Sequence, residues 1–384
     1  MKNFIGKALA LGIGFTMLFP LTACNEKSET DTFVRDSEYV TITEFEQPVS
    51  LAHKNVVEYL NADPTNLVTA FLSSTNPRAD KGNPVLLEYA FNHPKQIPVL
   101  SASVEISETE DFSTVVATMP FPNSGNLVEV YNLKTSAKYY FRVLVQLEDG
   151  KVHAKTGHFE TADTPRFINL DGASNVRDIG GWKTEDGRVI KQGLLFRGGE
   201  IDGGKNTGHP DFCLTEKGIE QLLSLGIATD FDLRGEENKV SPHSILGSGV
   251  HREFYNAHQY QDVFNLSYKP FLRKMIVDLA NPDAYPMYLH CTHGVDRAGT
   301  ASALIEALLG VSKEDIIRDY ELSAFYHNYA HVNRNFQNGG NILDFLNGFE
   351  KYAGDSLSQK CASFLLSIGV TQEEIDTIRA IFLG

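Results

Sequence analysis

A change of period near residue 165 restricts the possible folds more than any other feature of this chain. From residue 37 to 163, short runs with apolar residues at every second position follow one another between turn signals. They are "YVTITEF", "NLVTAFLSS", "VLLEYAF", "SASVEIS", "TVVATMPF", "NLVEVYNL", "KYYFRVLVQL" and "VHAKTGHFET". A period of two marks a strand with one buried face. In "KYYFRVLVQL", Tyr139, Phe141, Val143, Val145 and Leu147 share that face, and "EDGK" supplies a hairpin turn. The pattern predicts an all-β sandwich over 37–163.

After "TADTPRFINLDG" strand-like runs alternate with helical ones. "RVIKQGLLFR", "IATDFDLR", "VHREFYN" and "YPMYLH" read as strands, and "TEKGIEQLLSLG", "YKPFLRKMIVDLA", "AGTASALIEALLG" and "SKEDIIRDYEL" as helices. Alternation of this kind predicts an α/β domain over 167–384, with a central, mostly parallel sheet flanked by helices. Ser312 with Asp315 and Thr371 with Glu374 form capping-box patterns, and Gly226 and Gly310 sit where helices should end.

The first residues place Lys2 and Lys7 around an apolar run, "ALALGIGFTMLFPLTAC", short for a membrane span and suited to an export signal over 1–24. "LTAC" resembles the lipobox of bacterial lipoproteins. That resemblance implies lipid on Cys24 and a mature protein anchored in the bacterial cell envelope, facing the periplasm or the exterior. The polar stretch over 25–36 reads as a tether.

A formal charge of −15 excludes a broad nucleic-acid surface, which needs clustered Lys and Arg. With Cys24 assigned to lipid, Cys213, Cys291 and Cys361 remain, and a Cys213–Cys361 disulfide stays open. The chain has no C-x-x-C, no Walker A sequence and no G-x-G-x-x-G, so zinc and nucleotide chemistry lack a motif and no metal or cofactor is expected. His327 and His331, four apart, lack a third ligand nearby, and the D-x-D of Asp230 and Asp232 lacks metal-binding partners.

The segment "HCTHGVDR" joins an apolar strand to a helix start, with Cys291 and Arg297 six positions apart. In such a turn, backbone N–H groups converge on one point, and the helix dipole adds positive potential there. That point suits a phosphate or an oxyanion, and its field favours a thiolate placed beneath it. An arginine beside it can fork onto two phosphate oxygens.

This H-C-x5-R segment resembles the signature of the cysteine-dependent tyrosine phosphatases. "NVRDIGG", "DGRVIKQGLLFRGGEI", "LTEKGIEQLLSLGI", "DFDLRGEEN" and "GVSKEDIIRDYELS" look like successive landmarks of the bacterial tyrosine-protein phosphatase group, spanning roughly 167–325. The resemblance implies Cys291 as nucleophile and Arg297 as phosphate clamp. The backbone of Thr292, His293, Gly294, Val295 and Asp296 becomes the cradle, and His290 supports the loop and the thiolate. Asp296 is the preferred general acid, with Asp232 as the alternative. Arg234, Arg177 and Asp178 read as ion-pairing residues. Two positions depart from the group: Val295 stands where it usually has Lys, and Ala298 where it has Ser or Thr. In the first domain, "YNLKTSAKYYFRVLVQ" resembles the end of a fibronectin type III domain.

The resemblances together imply a lipid-anchored, metal-independent phosphomonoester hydrolase acting on phosphorylated proteins or peptides through a phosphocysteine. The alternatives are an inositol phosphate or small phosphometabolite phosphatase, and a phosphate-binding surface lipoprotein of low turnover.

Overall fold

The computed structural model describes residues 32–163, 165–203, 210–235, 241–335 and 340–384. Cys24, the export signal and most of the expected tether lie outside the described residues.

The N-terminal part builds two sheets. In one, β2 (Val40–Ile42), β3 (Val85–Phe91) and β6 (Leu127–Val130) pair antiparallel. In the other, β5 (Val115–Pro120), β4 (Val99–Ser107), β7 (Lys138–Leu147) and β8 (Val152–Glu160) run antiparallel in that order. The expected face of β7 is buried from Tyr139 to Leu147, where it packs with Val85, Leu87, Val104 and Phe159. The Lys134 amide donates to the Tyr139 hydroxyl at 3.0 Å and fixes the entry into β7.

Two expectations need correction here. The tether ends early, because β1 (Phe33–Val34) adds to this sheet by parallel pairing with β8. The sandwich is also interrupted. Between Leu51 and Asn83, whose backbones meet at 2.8 Å, the chain leaves it altogether. "NLVTAFLSS" is no strand; Val68–Phe71 forms a 3₁₀ turn, preceded by α1 (Lys54–Leu60). A short apolar run does not distinguish strand from helix, and tertiary burial decides. Ala52, Val56, Tyr59, Val68 and Ala79 are buried in the core of the second domain, not of the sandwich.

The second domain is α/β. Its sheet has the order β12 (His251–Phe254), β11 (Thr229–Asp232), β13 (Met287–His290), β10 (Leu195–Gly198) and β9 (Arg177–Asp178). All pairs are parallel except β10 with β9. Strands β10, β11 and β13 are buried throughout, as expected for a sheet covered on both faces. Of "RVIKQGLLFR" only the last three residues enter β10; the run breaks at Gly193, which takes φ +85°.

Helices α2 (Glu216–Ser224), α3 (Lys269–Leu279), α4 (Asp296–Leu309) and α5 (Lys313–Glu321) match the helical runs, followed by α6 (Ile342–Asn347), α7 (Leu357–Ser367) and α8 (Gln372–Leu383). Ser312 and Thr371 cap α5 and α8 through the Asp315 and Glu374 amides, and Gly310 ends α4 at φ +93°. Helix α4 is buried on almost every side, packed between the sheet and α7. His327 and His331 do not share a helix, since His327 and Asn328 take positive φ. Cys213 and Cys361 are both free.

Candidate active site

The register places His290 beside Asp232 on one flank and Gly198 on the other. Cys291 therefore follows the central strand at its carboxyl end, where parallel sheets gather their ligands. It is 3% exposed, and five residues further the chain enters α4.

What shapes the connecting loop is the fate of its carbonyls. Thr292 O accepts from the Glu200 amide at 3.1 Å. His293 O accepts from Asn175 Nδ2 at 3.2 Å, and Gly294 O from Arg197 Nη2 at 2.9 Å. Three consecutive carbonyls are thus drawn outward. A trans peptide points its N–H opposite to its C=O, so the N–H groups of residues 293 to 295 face the other way. The amides of Thr292, Gly294, Val295 and Asp296 meet no acceptor among the described residues. Gly294 permits the turn with φ +71°, and a Cβ there would lie 2.4 Å from the Gly198 carbonyl carbon. Converging amides at the start of a 14-residue helix form an anion-binding concavity.

Arg297 closes this loop, its guanidinium 3.4 Å from both Leu233 O and Thr292 Oγ1. The arginines behind the loop are structural. Arg197 and Arg177 both bind Asp319, at 2.7 Å and 2.9 Å, and all three are buried. Burial alone would raise the Asp319 carboxyl, but the two guanidiniums outweigh it and hold it below its usual range. Arg177 and Asp178 are ion-paired as expected, though not with each other. Neighbours in a strand face opposite sides, and Asp178 pairs with Arg166 at 3.1 Å.

His290 Nε2 lies 2.8 Å from Asp230 Oδ1, while Asp230 Oδ2 accepts from Ser244 at 2.7 Å. Burial would lower the imidazole's pKa; the charge of Asp232 and the bond to Asp230 prevail and raise it. This hydrogen-bonded imidazole directly precedes Cys291.

The two acid candidates separate clearly. Asp232 is fully buried and accepts from Arg234 Nε at 2.9 Å, Arg234 Nη2 at 2.7 Å and Arg252 Nη2 at 2.8 Å. Against its burial, His290 and these guanidiniums hold it far below the usual carboxylate range. With its oxygens taken up by guanidiniums, Asp232 is placed for ion pairing, and the geometry favours Asp296 of the two candidates. Asp296 is partly exposed at the head of α4, and its Oδ1 accepts from the Tyr260 hydroxyl at 2.5 Å. Tyr260 also meets the Tyr320 hydroxyl at 2.6 Å. Burial, then Tyr320 and Asp296, raise the Tyr260 phenol, so it stays a donor. Its backbone is left-handed, φ +52°, an unusual state for a bulky residue.

Asp296 also borders an open hollow of about 860 Å³ walled by Tyr260, His293, Val295, Tyr320, Tyr329 and His331. Asn175 and Arg197 fall inside sequence landmarks, which could have flagged them as loop supports. Tyr260 lies in "NAHQYQDVF", which carried no pattern.

A mostly parallel sheet whose central strand ends in a cysteine, an amide-lined loop and an arginine at a helix start is an arrangement suited to binding an oxyanion. Residues 168–384 match the model of the tyrosine phosphatase family, and the chain belongs to that family. It is similar to a Cupriavidus necator protein provisionally named a tyrosine-protein phosphatase, 27% identical over 177 residues. The match covers 40% of this chain and 61% of that relative. Among the described residues no group of three or more His, Cys, Asp or Glu could hold a metal ion, and no helix is long and apolar enough to cross a membrane.

Proposed function

We propose that this protein hydrolyses phosphomonoesters of phosphotyrosine type through a phosphocysteine on Cys291, without a metal. The outward pull on the carbonyls of Thr292, His293 and Gly294 carries the reading, because it turns a ring of N–H groups onto the space above the cysteine.

In this mechanism the Cys291 thiolate attacks phosphorus in line. The loop amides and the Arg297 fork take the three equatorial oxygens, where transition-state charge accumulates. Asp296, steadied by Tyr260, protonates the departing oxygen and afterwards takes a proton from the water that cleaves the S–P bond. His290 supports the loop by holding the strand end through Asp230, directly before the nucleophile. The aromatic wall of the neighbouring hollow suits an aryl ester. Val295 offers no cation for a second phosphate, which weighs against inositol polyphosphates.

The N-terminal unit is read as a fibronectin type III-like sandwich, supported by its strand order and by the Tyr139 hydroxyl bonded to the chain just upstream. Cys24 is read as the lipid anchor to the bacterial envelope. Labelling by palmitate that persists in Cys24→Ser would remove the anchor.

The decisive test is phosphate release from an aryl phosphate, with chelator and reductant present, by residues 25–384 and by Cys291→Ser. Release by the parent that disappears in the variant is expected. Undiminished release by Cys291→Ser, or a requirement for metal, would overturn the mechanism.

A further inference from the structure

We propose that the excursion between Leu51 and Asn83 is a strap that holds the phosphate loop in shape, with Asp80 as the positioning residue acting through Asn175. The proposal rests on the reading of residues 291–297 as an oxyanion site.

Asn175 makes the connection. Its Nδ2 draws the His293 carbonyl outward, and its Oδ1 accepts from Arg177 Nη1 at 2.7 Å. To do both it adopts φ +54° while 1% exposed. Its own amide needs a buried acceptor, and the strap supplies one: Asp80 Oδ2 receives that N–H at 2.8 Å. Asp80 is itself fully buried. Arg78 Nε steadies its other oxygen at 3.0 Å, and Arg78 Nη1 reaches Asp211 Oδ1 at 2.5 Å. A chain of direct contacts therefore runs from a segment inserted in the sandwich to a peptide of the phosphate loop.

The strap is fastened along its length. Tyr59 donates to Glu321 and Arg318 to the Leu60 carbonyl. The His327 amide donates to Pro77 O at 2.7 Å, and Lys81 Nζ to Ala173 O at 2.7 Å. Val56, Val68 and Ala79 are buried against the catalytic domain. The contacts of Pro77 and Lys81 flank Asp80 and set how it meets Asn175, whereas those of Tyr59 and Leu60 anchor the far end of the strap.

Without Asp80 the Asn175 amide is buried and unpaired, and the left-handed backbone loses what holds it. Asn175 can then rotate and release the His293 carbonyl. A peptide free to turn would point C=O instead of N–H at the anion, and binding weakens. The sandwich is thus part of the catalytic machinery's support as well as a neighbour.

The experiment titrates orthovanadate calorimetrically into the full chain, without turnover, and measures kcat and KM on an aryl phosphate. The variants are Asp80→Ala, Asn175→Gly, their double mutant and Arg318→Met. Each single change at Asp80 or Asn175 should weaken vanadate binding about tenfold, the value of one buried polar bond. The double mutant should be no weaker than the worse single, because both act through one peptide. Arg318→Met loosens the strap away from Asn175; it should lower the melting temperature and leave vanadate affinity unchanged. Parent-like binding by Asn175→Gly, additive losses, or equal weakening by Arg318→Met would overturn the strap. Asn175→Gly tolerates φ +54° and keeps the test decisive if Asp80→Ala does not fold. A parent that binds no vanadate would instead remove the oxyanion site, and the strap proposal with it.

Discussion

Adding one methyl group at Gly294 tests the construction of the phosphate loop. An ideal Cβ there lies 2.4 Å from the Gly198 carbonyl carbon, 2.6 Å from its oxygen and 2.8 Å from the Gly199 nitrogen. Comfortable carbon contacts begin near ~3.5 Å, so the methyl must retreat by about 1 Å. The opposing atoms belong to backbone, and β13 pins them by pairing Gly198 with His290. The loop must yield. A left-handed alanine costs about 1–2 kcal/mol, and forced overpacking adds roughly 1–3 kcal/mol. A reacting group displaced by ~1 Å loses about 100-fold in rate. Gly294→Ala should therefore lower kcat/KM on nitrophenyl phosphate by about two orders of magnitude and lower the melting temperature by several degrees. Gly187→Ala is the control, because Gly187 has φ +87° with nothing within 4 Å of its Cβ position. It should lose stability by about 1–2 kcal/mol and keep its rate. A Gly294→Ala enzyme within about threefold of the parent would refute the close-packed loop, as would an equal slowing by Gly187→Ala.

Tyr260→Phe removes the donor to Asp296 and keeps the ring. It should slow esters with poor leaving groups by about tenfold or more and spare activated ones, so a uniform loss across a leaving-group series would contradict the acid assignment. Ala298→Ser restores a hydroxyl one position after Arg297. It should speed breakdown of the phospho-enzyme about fivefold, seen as faster turnover after the burst, and an unchanged post-burst rate would count against it. Glu306 is buried within α4 with neither carboxyl oxygen hydrogen-bonded among the described residues, and burial, then Asp319, pushes its pKa well above the usual range. The folded chain therefore binds that proton more tightly than the unfolded chain, and stability falls as pH rises out of the carboxylate range. Glu306→Met should flatten this slope and raise the urea midpoint at neutral pH, and parallel pH profiles for parent and variant would refute it.

Much of the catalytic domain was legible because its signals are local. The period of its helices, the caps at Ser312 and Thr371 and the spacing of Cys291 from Arg297 all lie within a few residues. The excursion was not legible, because nothing within "NLVTAFLSS" says which core will bury it, and a core some 250 residues away does so. Asp232 stayed open as an alternative for a related reason. Its place at the end of a strand suits an acid, but its role depends on Arg252, which reaches it from the neighbouring strand β12. Tyr260 escaped because the left-handed turn from which its hydroxyl meets Asp296 is a torsion at a single residue, which leaves no periodicity. Asn175 and Arg197 stood inside visible landmarks, yet their bonds to separate carbonyls of one loop exist only in three dimensions.

The strap also sets a delay. Tyr59 lies 262 residues ahead of Glu321, the carboxylate it binds. At a synthesis rate of roughly 5–20 residues per second, the interval between the two is about 13–52 s. During that time the sandwich strands can pair, while Val56, Tyr59 and Val68 stay exposed to any apolar surface that meets them first. A nascent chain halted before α5 would present this sticky segment at full length, giving a chaperone or a protease a defined place to act on the unfinished protein.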